Sequence, residues 1–193
     1  IYHQKLIDGA RETAQRLGFK VDYLNTAESG MSLRRLGSVL RSRGIGAILL
    51  LPMFARPVAT ALDWERLTGV YTDYLIEDPP LNRVFPDHFR SMFIALEALS
   101  ALGYKRPGLV LHQRHAERML YRFESAFDSF WAHHAGESMP PHLIFEELKR
   151  DAFLDWFRTS QPDVVIAHPA EIVDWMQEAG CRVPETHGFC SLN

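Results

Sequence analysis

The sequence predicts an α/β protein built on parallel sheet, and three observations carry that expectation. Four times a stretch with helical spacing runs into a glycine and then into an apolar segment: "AQRLGFKVDYL", "LRSRGIGAILLLP", "LSALGYKRPGLVL" and "MQEAGCRVPETHGFCSL". Glycine takes the left-handed conformation just past a helix without a Cβ clash, so Gly18, Gly44, Gly103 and Gly180 read as helix C-caps. The short apolar runs between helices lack the alternation of a half-exposed strand, which marks strands covered on both faces. Their regular exchange with helices is the order that a parallel sheet requires.

In chain order, Leu6, Ala10, Ala14 and Leu17 recur at helical spacing and predict a helix from Tyr2 to Leu17, followed by a strand or turn in "FKVDYL". Leu33, Leu36 and Leu40 predict a second helix over Ser32 to Arg43, which leads through Gly44 into the strand "AILLLP" at 47–52 and then "GVYTDY" at 69–74. Asp87 reads as an N-cap, its carboxylate accepting the open N–H groups of a helix in which Met92, Ala95, Leu96 and Leu99 share a face. After Gly103 comes the strand "GLVLH" at 108–112. One continuous helical run follows, marked by Met119, Leu120, Phe123, Phe127 and Phe130, and then "DVVIAH" at 163–168. A last helix ends at Gly180 and "GFCSLN" closes the chain as a strand. Because Ile1 opens directly into a helix and nothing follows that strand, the fold is expected to be truncated at both ends.

Composition narrows the function. With 193 residues, 47% hydrophobic and 23% charged, the chain suits a soluble globular protein with room for two cores. No apolar run approaches the ~20 residues needed to span a bilayer, so no membrane association is expected. Cys181 and Cys190 are too few for a disulfide scaffold and lack C-x-x-C spacing, which points to a reducing cytoplasm. A net charge of −3 argues against these residues gripping a nucleic-acid backbone. No G-x-S-x-G, H-E-x-x-H, Walker A or G-x-G-x-x-G motif is present, so neither catalysis nor a cofactor is expected. "HQRH" at 112–115 has no neighbouring Cys or carboxylate and is not read as a metal site.

The order of these segments resembles the effector-binding region of the LacI/GalR transcription regulators, which share the two-lobed fold of type 1 periplasmic binding proteins. The matching pieces are "YHQKLIDGARETAQRLGFKV", "LRSRGIGAILLLP", "RVFPDHFRSMFIALEALSALGYKRPGLVL", "PDVVIAHP" and "AGCRVPETHGFCSLN". The resemblance implies an N-terminal lobe over 1–103 and a C-terminal lobe over 104–193, each a parallel sheet flanked by helices. Gly108 to His112 then opens a second sheet, and ligand binds in the cleft between lobes. It also implies that the family's helix-turn-helix headpiece, through which operator DNA is bound, lies outside these residues.

The same resemblance supplies ligand-binding candidates. Asp87, besides its role as a cap, is a ligand candidate. His88 and Arg90 follow it in a helical turn that faces the family's cleft, where an arginine forms paired hydrogen bonds to a carboxylate or to vicinal hydroxyls. Arg118 lies one residue before the position of the family's ligand-contacting arginine, held here by Met119. Arg122 stands where the family has glycine, while Phe123 and Ala126 match its aromatic and alanine. His168 replaces an Asn-Asp pair at a strand end, and Asn193 replaces an Asp. Tyr74 and Tyr2 sit at strand-end and helix-start positions where rings stack on sugars.

These readings make the chain the sensing domain of a cytoplasmic regulator that binds a sugar-like effector and pairs as a homodimer through Tyr2 to Leu17 and Ser32 to Arg43. The competing reading of the same fold is a transport-type periplasmic sugar-binding protein. An enzyme on a binding-protein scaffold is a third class.

Overall fold

The computed structural model describes residues 2–25, 30–52, 62–72, 74, 78–134 and 142–192. By chain contacts the protein divides into two compact units, Ile1–Phe85 and Pro86–Asn193. Each unit carries its own all-parallel sheet.

The first unit begins with α1 (Tyr2–Arg16), whose Leu6, Ile7, Ala10 and Ala14 form a half-buried stripe on an otherwise exposed helix. Gly18 ends it with φ 80°. Beyond that glycine "FKVDYL" is irregular rather than a strand, and Phe19, Val21 and Tyr23 remain exposed. Helix α2 (Leu33–Ser42) is capped by Ser32, whose Oγ accepts from the Arg35 N–H at 3.3 Å. It buries Leu36 and Leu40 against Leu62, Ile48 and Trp64. Strand β1 (Ala47–Leu50) pairs with β2 (Thr68–Tyr71), and β2 pairs with β3 (Asn82–Arg83). Gly69 is required at its position because a Cβ there would lie 2.5 Å from the Trp64 ring.

The second unit begins with α3 (His88–Ala101) on the Asp87 cap, whose Oδ1 accepts from the Arg90 N–H at 3.0 Å. Strand β4 (Pro107–His112) follows. It pairs with β5 (Leu143–Phe145) and β6 (Val164–Ala167), and β6 pairs with β7 (Gly188–Ser191), giving the order β5-β4-β6-β7. Gly108 therefore opens a second sheet and does not extend the sheet of Ala47 to Leu50. The compact units divide after Phe85, which places α3 with the second sheet, where it packs on α5 (Arg122–His134). Phe93 of α3 meets Phe130 of α5 edge-on at 5.8 Å.

Strands β4 and β6 are buried almost throughout, as their unalternating sequences predict. Their side chains still alternate between the two faces of the sheet. Val110, Val165 and Ala167 pack against Phe153, Leu154, Trp156 and Phe157 of α6 (Arg150–Ser160) and Ile172 and Met176 of α7 (Glu171–Glu178). Leu109, Leu111 and Ile166 are fully buried on the opposite face. One expectation fails: the helical run from Met119 to Phe130 is not continuous. Helix α4 (Gln113–Arg118) ends at Met119, and Leu120 and Tyr121 take φ 52° and 55° before α5 begins. Two left-handed residues re-aim the chain so that Met119 and Phe123 both turn inward while Leu120 and Tyr121 stay half in water.

Candidate functional site

In a parallel sheet the strand C-termini open onto the turns that lead into helices, and the two central strands of the second unit bring polar residues to that edge. Strand β6 ends at Ala167, so His168 projects from the rim. Strand β4 ends at His112 and passes directly into α4, whose first turns present His115 and Arg118. The start of α3 adds His88, and the first turn of α5 adds Phe123.

These groups meet. The rings of His115 and His168 lie 4.1 Å apart at 34°. Phe123 stands edge-on to His168 at 5.9 Å and also contacts the ring of His88 at 4.9 Å. Burial pulls the pKa of His168 from 6.5 down to about 3, and the positive charges of His115, His88 and Arg118 act in the same direction. His168 is therefore a neutral imidazole at physiological pH, with one nitrogen donating and the other accepting. His112 turns away from the group. Its ring packs edge-on against Phe145 at 5.3 Å, and its Nδ1 accepts from the Arg114 N–H at 3.1 Å.

Of the residues singled out in the sequence, the structure brings together His88, Arg118 and His168. Arg90 is exposed on α3 and is not among the charges acting on His168. Asp87 is exposed and serves as a cap. Tyr74 is buried in the first unit, its ring 4.0 Å from that of Phe85, which leaves it packed rather than presented to solvent. Asn193 and the side chain of Tyr2 lie outside the described residues. Sequence reasoning missed His115. The available signal was its place three residues beyond His112, one helical turn after a buried strand, where a side chain must face the strand ends.

A separate surface depression of about 720 Å³ lies near α6 and α7 and is lined by Arg150, Leu154, Phe157, Glu178 and His187 among others. Its charged groups pair with one another, Arg150 reaching Glu178 at 2.6 Å and Asp151 at 3.1 Å. Among the described residues no set of three His, Cys, Asp or Glu side chains is arranged to hold a metal ion. No described helix is long and apolar enough to cross a membrane.

No protein-family profile matches the sequence, and no curated protein does. Solved structures do. A LacI transcriptional regulator from a Rhodococcus species superposes with a TM-score of 0.69 at 14% identity, covering 98% of this chain and 73% of that one. A LacI-family transcriptional regulator from Weissella paramesenteroides with bound glucose gives 0.66 at 18% identity, over 97% and 74%. A sugar-binding LacI-family regulator from Escherichia coli complexed with phosphate gives 0.64 at 16% identity, over 98% and 72%. The chain thus has the type 1 periplasmic-binding-protein-like fold found in the effector-binding domains of LacI-family transcription regulators.

Proposed function

We propose that this chain is the effector-sensing domain of a cytoplasmic LacI-type transcription regulator, binding a small polar molecule of the sugar class and controlling operator DNA through a helix-turn-helix segment outside these residues. The observation that carries the reading is the chain of ring contacts His88–Phe123–His168–His115 at the carboxyl ends of β4 and β6, with the charge of Arg118 acting on His168. An aromatic edge, a neutral imidazole and a guanidinium are the groups that recognise a ring carrying hydroxyls or a charged substituent. Ligand changes DNA affinity only by binding one conformation more tightly than another, so the effector must contact groups whose arrangement differs between the two states. The domain pairs as a homodimer through α1 and α2, a reading supported by the exposed apolar residues Leu17, Phe19 and Tyr23 that follow α1.

The test is a thermal-unfolding screen of sugars, sugar acids, sugar phosphates and nucleobases, because a ligand that binds only the folded state raises the melting temperature by mass action. Selective stabilisation that is lost in Arg118→Ala supports the proposal. A panel in which no compound distinguishes the wild type from that variant overturns it.

A further inference from the structure

The turn between α4 and α5 sets local preference against tertiary packing. Leu120 and Tyr121 take φ 52° and 55°, a conformation that L residues adopt at a steric cost, and both are half exposed. The sequence itself favours a helix there: Gln113 to His134 contain no glycine or proline, and Leu120, Phe123 and Phe127 stand at helical spacing. One unbroken helix would relieve both left-handed residues and bring Leu120 onto the stripe where Phe123 and Phe127 are buried. The break is held by the docking of α4. That helix rests on β4 with Ala116 buried, and the His112 Nδ1 caps it by accepting from the Arg114 N–H at 3.1 Å. The Tyr121 N–H closes it by donating to the Ala116 carbonyl at 2.8 Å. A segment pulled one way by its sequence and the other by its packing is the raw material of a two-state element.

Resting on the sensing role just described, we infer that this turn is the domain's conformational switch, in which the broken form exchanges with a form where Gln113 to His134 make one helix. The break places His115 and Arg118, both on α4, beside His168 at the end of β6: the His115 ring lies 4.1 Å from the His168 ring, and the Arg118 charge acts on it. Phe123, on α5, meets the same imidazole edge-on at 5.9 Å. Straightening swings α4 off β4 and takes His115 and Arg118 away from His168, while α5 keeps its place against α3. A ligand that touches α4 and the end of β6 together therefore binds the broken form and holds it. That difference in affinity is what couples binding to a change of shape. The strain of the left-handed pair is what lets the free domain sample the straight form.

The test follows the intact chain, without ligand, by nuclear magnetic resonance. Backbone couplings and carbon shifts of Leu120 and Tyr121 report φ, and relaxation dispersion of the amides from Glu117 to Phe123 reports exchange with a minor form on the μs–ms timescale. Two double variants bias the balance. Leu120→Gly with Tyr121→Gly accepts positive φ freely, whereas Leu120→Ala with Tyr121→Ala keeps the steric cost and adds helix propensity. The expected result is a minor form with helical shifts in the wild type, its population about tenfold lower in the glycine variant and about tenfold higher in the alanine variant. Helical values at Leu120 and Tyr121 in the wild-type minor form, or at the same two positions in the alanine variant, support the inference. Their absence from both overturns it, as does flat wild-type dispersion where the alanine variant does not fold. No ligand enters this test, so its failure removes the switch and leaves the sensing role, whereas an empty thermal screen removes the sensing role and leaves the exchange as a motion of the free chain.

Discussion

Asp163 and Arg106 hold each other's backbone: the Asp163 carboxylate accepts from the Arg106 N–H at 3.0 Å, and the Asp163 N–H donates to the Arg106 carbonyl at 3.1 Å. The other carboxylate oxygen accepts from the Lys105 N–H at 2.6 Å. The Arg106 guanidinium donates to the carbonyls of Ser160 and Gln161 at 2.8 and 3.2 Å. Asp163 thus satisfies donors on the segment that enters β4 and fixes the start of β6 beside it. Asp163→Ala is expected to destabilise the second unit by about 1–3 kcal/mol, because charge-assisted bonds to backbone donors are lost together. Asp163→Asn, which keeps one acceptor, loses less; urea unfolding of both variants checks the order.

Gly188 at the start of β7 lies under the ring of Tyr104, where a Cβ would meet the Tyr104 ring at 2.7 Å and Val164 at 2.8 Å. Gly188→Ala forces one of these to move and is expected to cost about 1–3 kcal/mol, and Tyr104→Leu in the same chain should recover part of it. Thermal unfolding of the single and double variants measures the coupling.

The lowered pKa of His168 makes stability depend on pH with a definite sign. The unfolded chain takes up a proton near pH 6.5 that the folded chain refuses until about pH 3, so stability falls as pH drops through that window. Between pH 7 and pH 5 the loss is about 1–2 kcal/mol. His168→Gln, which cannot protonate, should flatten this part of the profile; an unchanged slope in denaturant titrations at the two pH values would refute the buried neutral imidazole.

Leu120 and Tyr121 occupy the left-handed region side by side and are half exposed, so their side chains contribute little packing to set against the backbone cost. Tyr121→Gly is expected to raise stability by up to about 1 kcal/mol. A loss of stability on calorimetry would mean that the ring is held by contacts worth more than that strain.

Arg118 and Arg90 should separate. Arg118 is half-buried and close enough to His168 for its charge to be felt there, whereas Arg90 is exposed on α3. For a compound selected by thermal screening, Arg118→Ala should weaken calorimetric binding by about 1.5–3 kcal/mol and Arg90→Ala by less than about 0.5.

What the sequence disclosed follows from how local the determining physics is. Gly18, Gly44, Gly103 and Gly180 all adopt positive φ at helix ends, and Asp87 caps its helix, because both roles depend on a few neighbouring atoms. The apolar runs at 107–112 and 164–167 became strands buried on both faces, as consecutive apolar residues require. The run at 47–50 became a strand that alternates exposed and half-buried residues, against the expectation that it is covered on both faces. "FKVDYL" did not, since a strand also needs a partner edge that periodicity does not reveal. The break at Leu120 and Tyr121 was hidden because both residues suit a helix, and only tertiary packing of Met119 and Phe123 forces the turn. The meeting of His115 with His168 joins positions more than fifty residues apart, and proximity of that kind is a property of sheet order.

The tryptophan that lies over Gly69 has a practical consequence. Trp64 is the sole indole before residue 86, and Trp131, Trp156 and Trp175 all follow it. Replacing those three with phenylalanine leaves a chain whose intrinsic fluorescence reports the melting of the first sheet alone, an optical means of telling whether the two halves unfold in concert or in sequence.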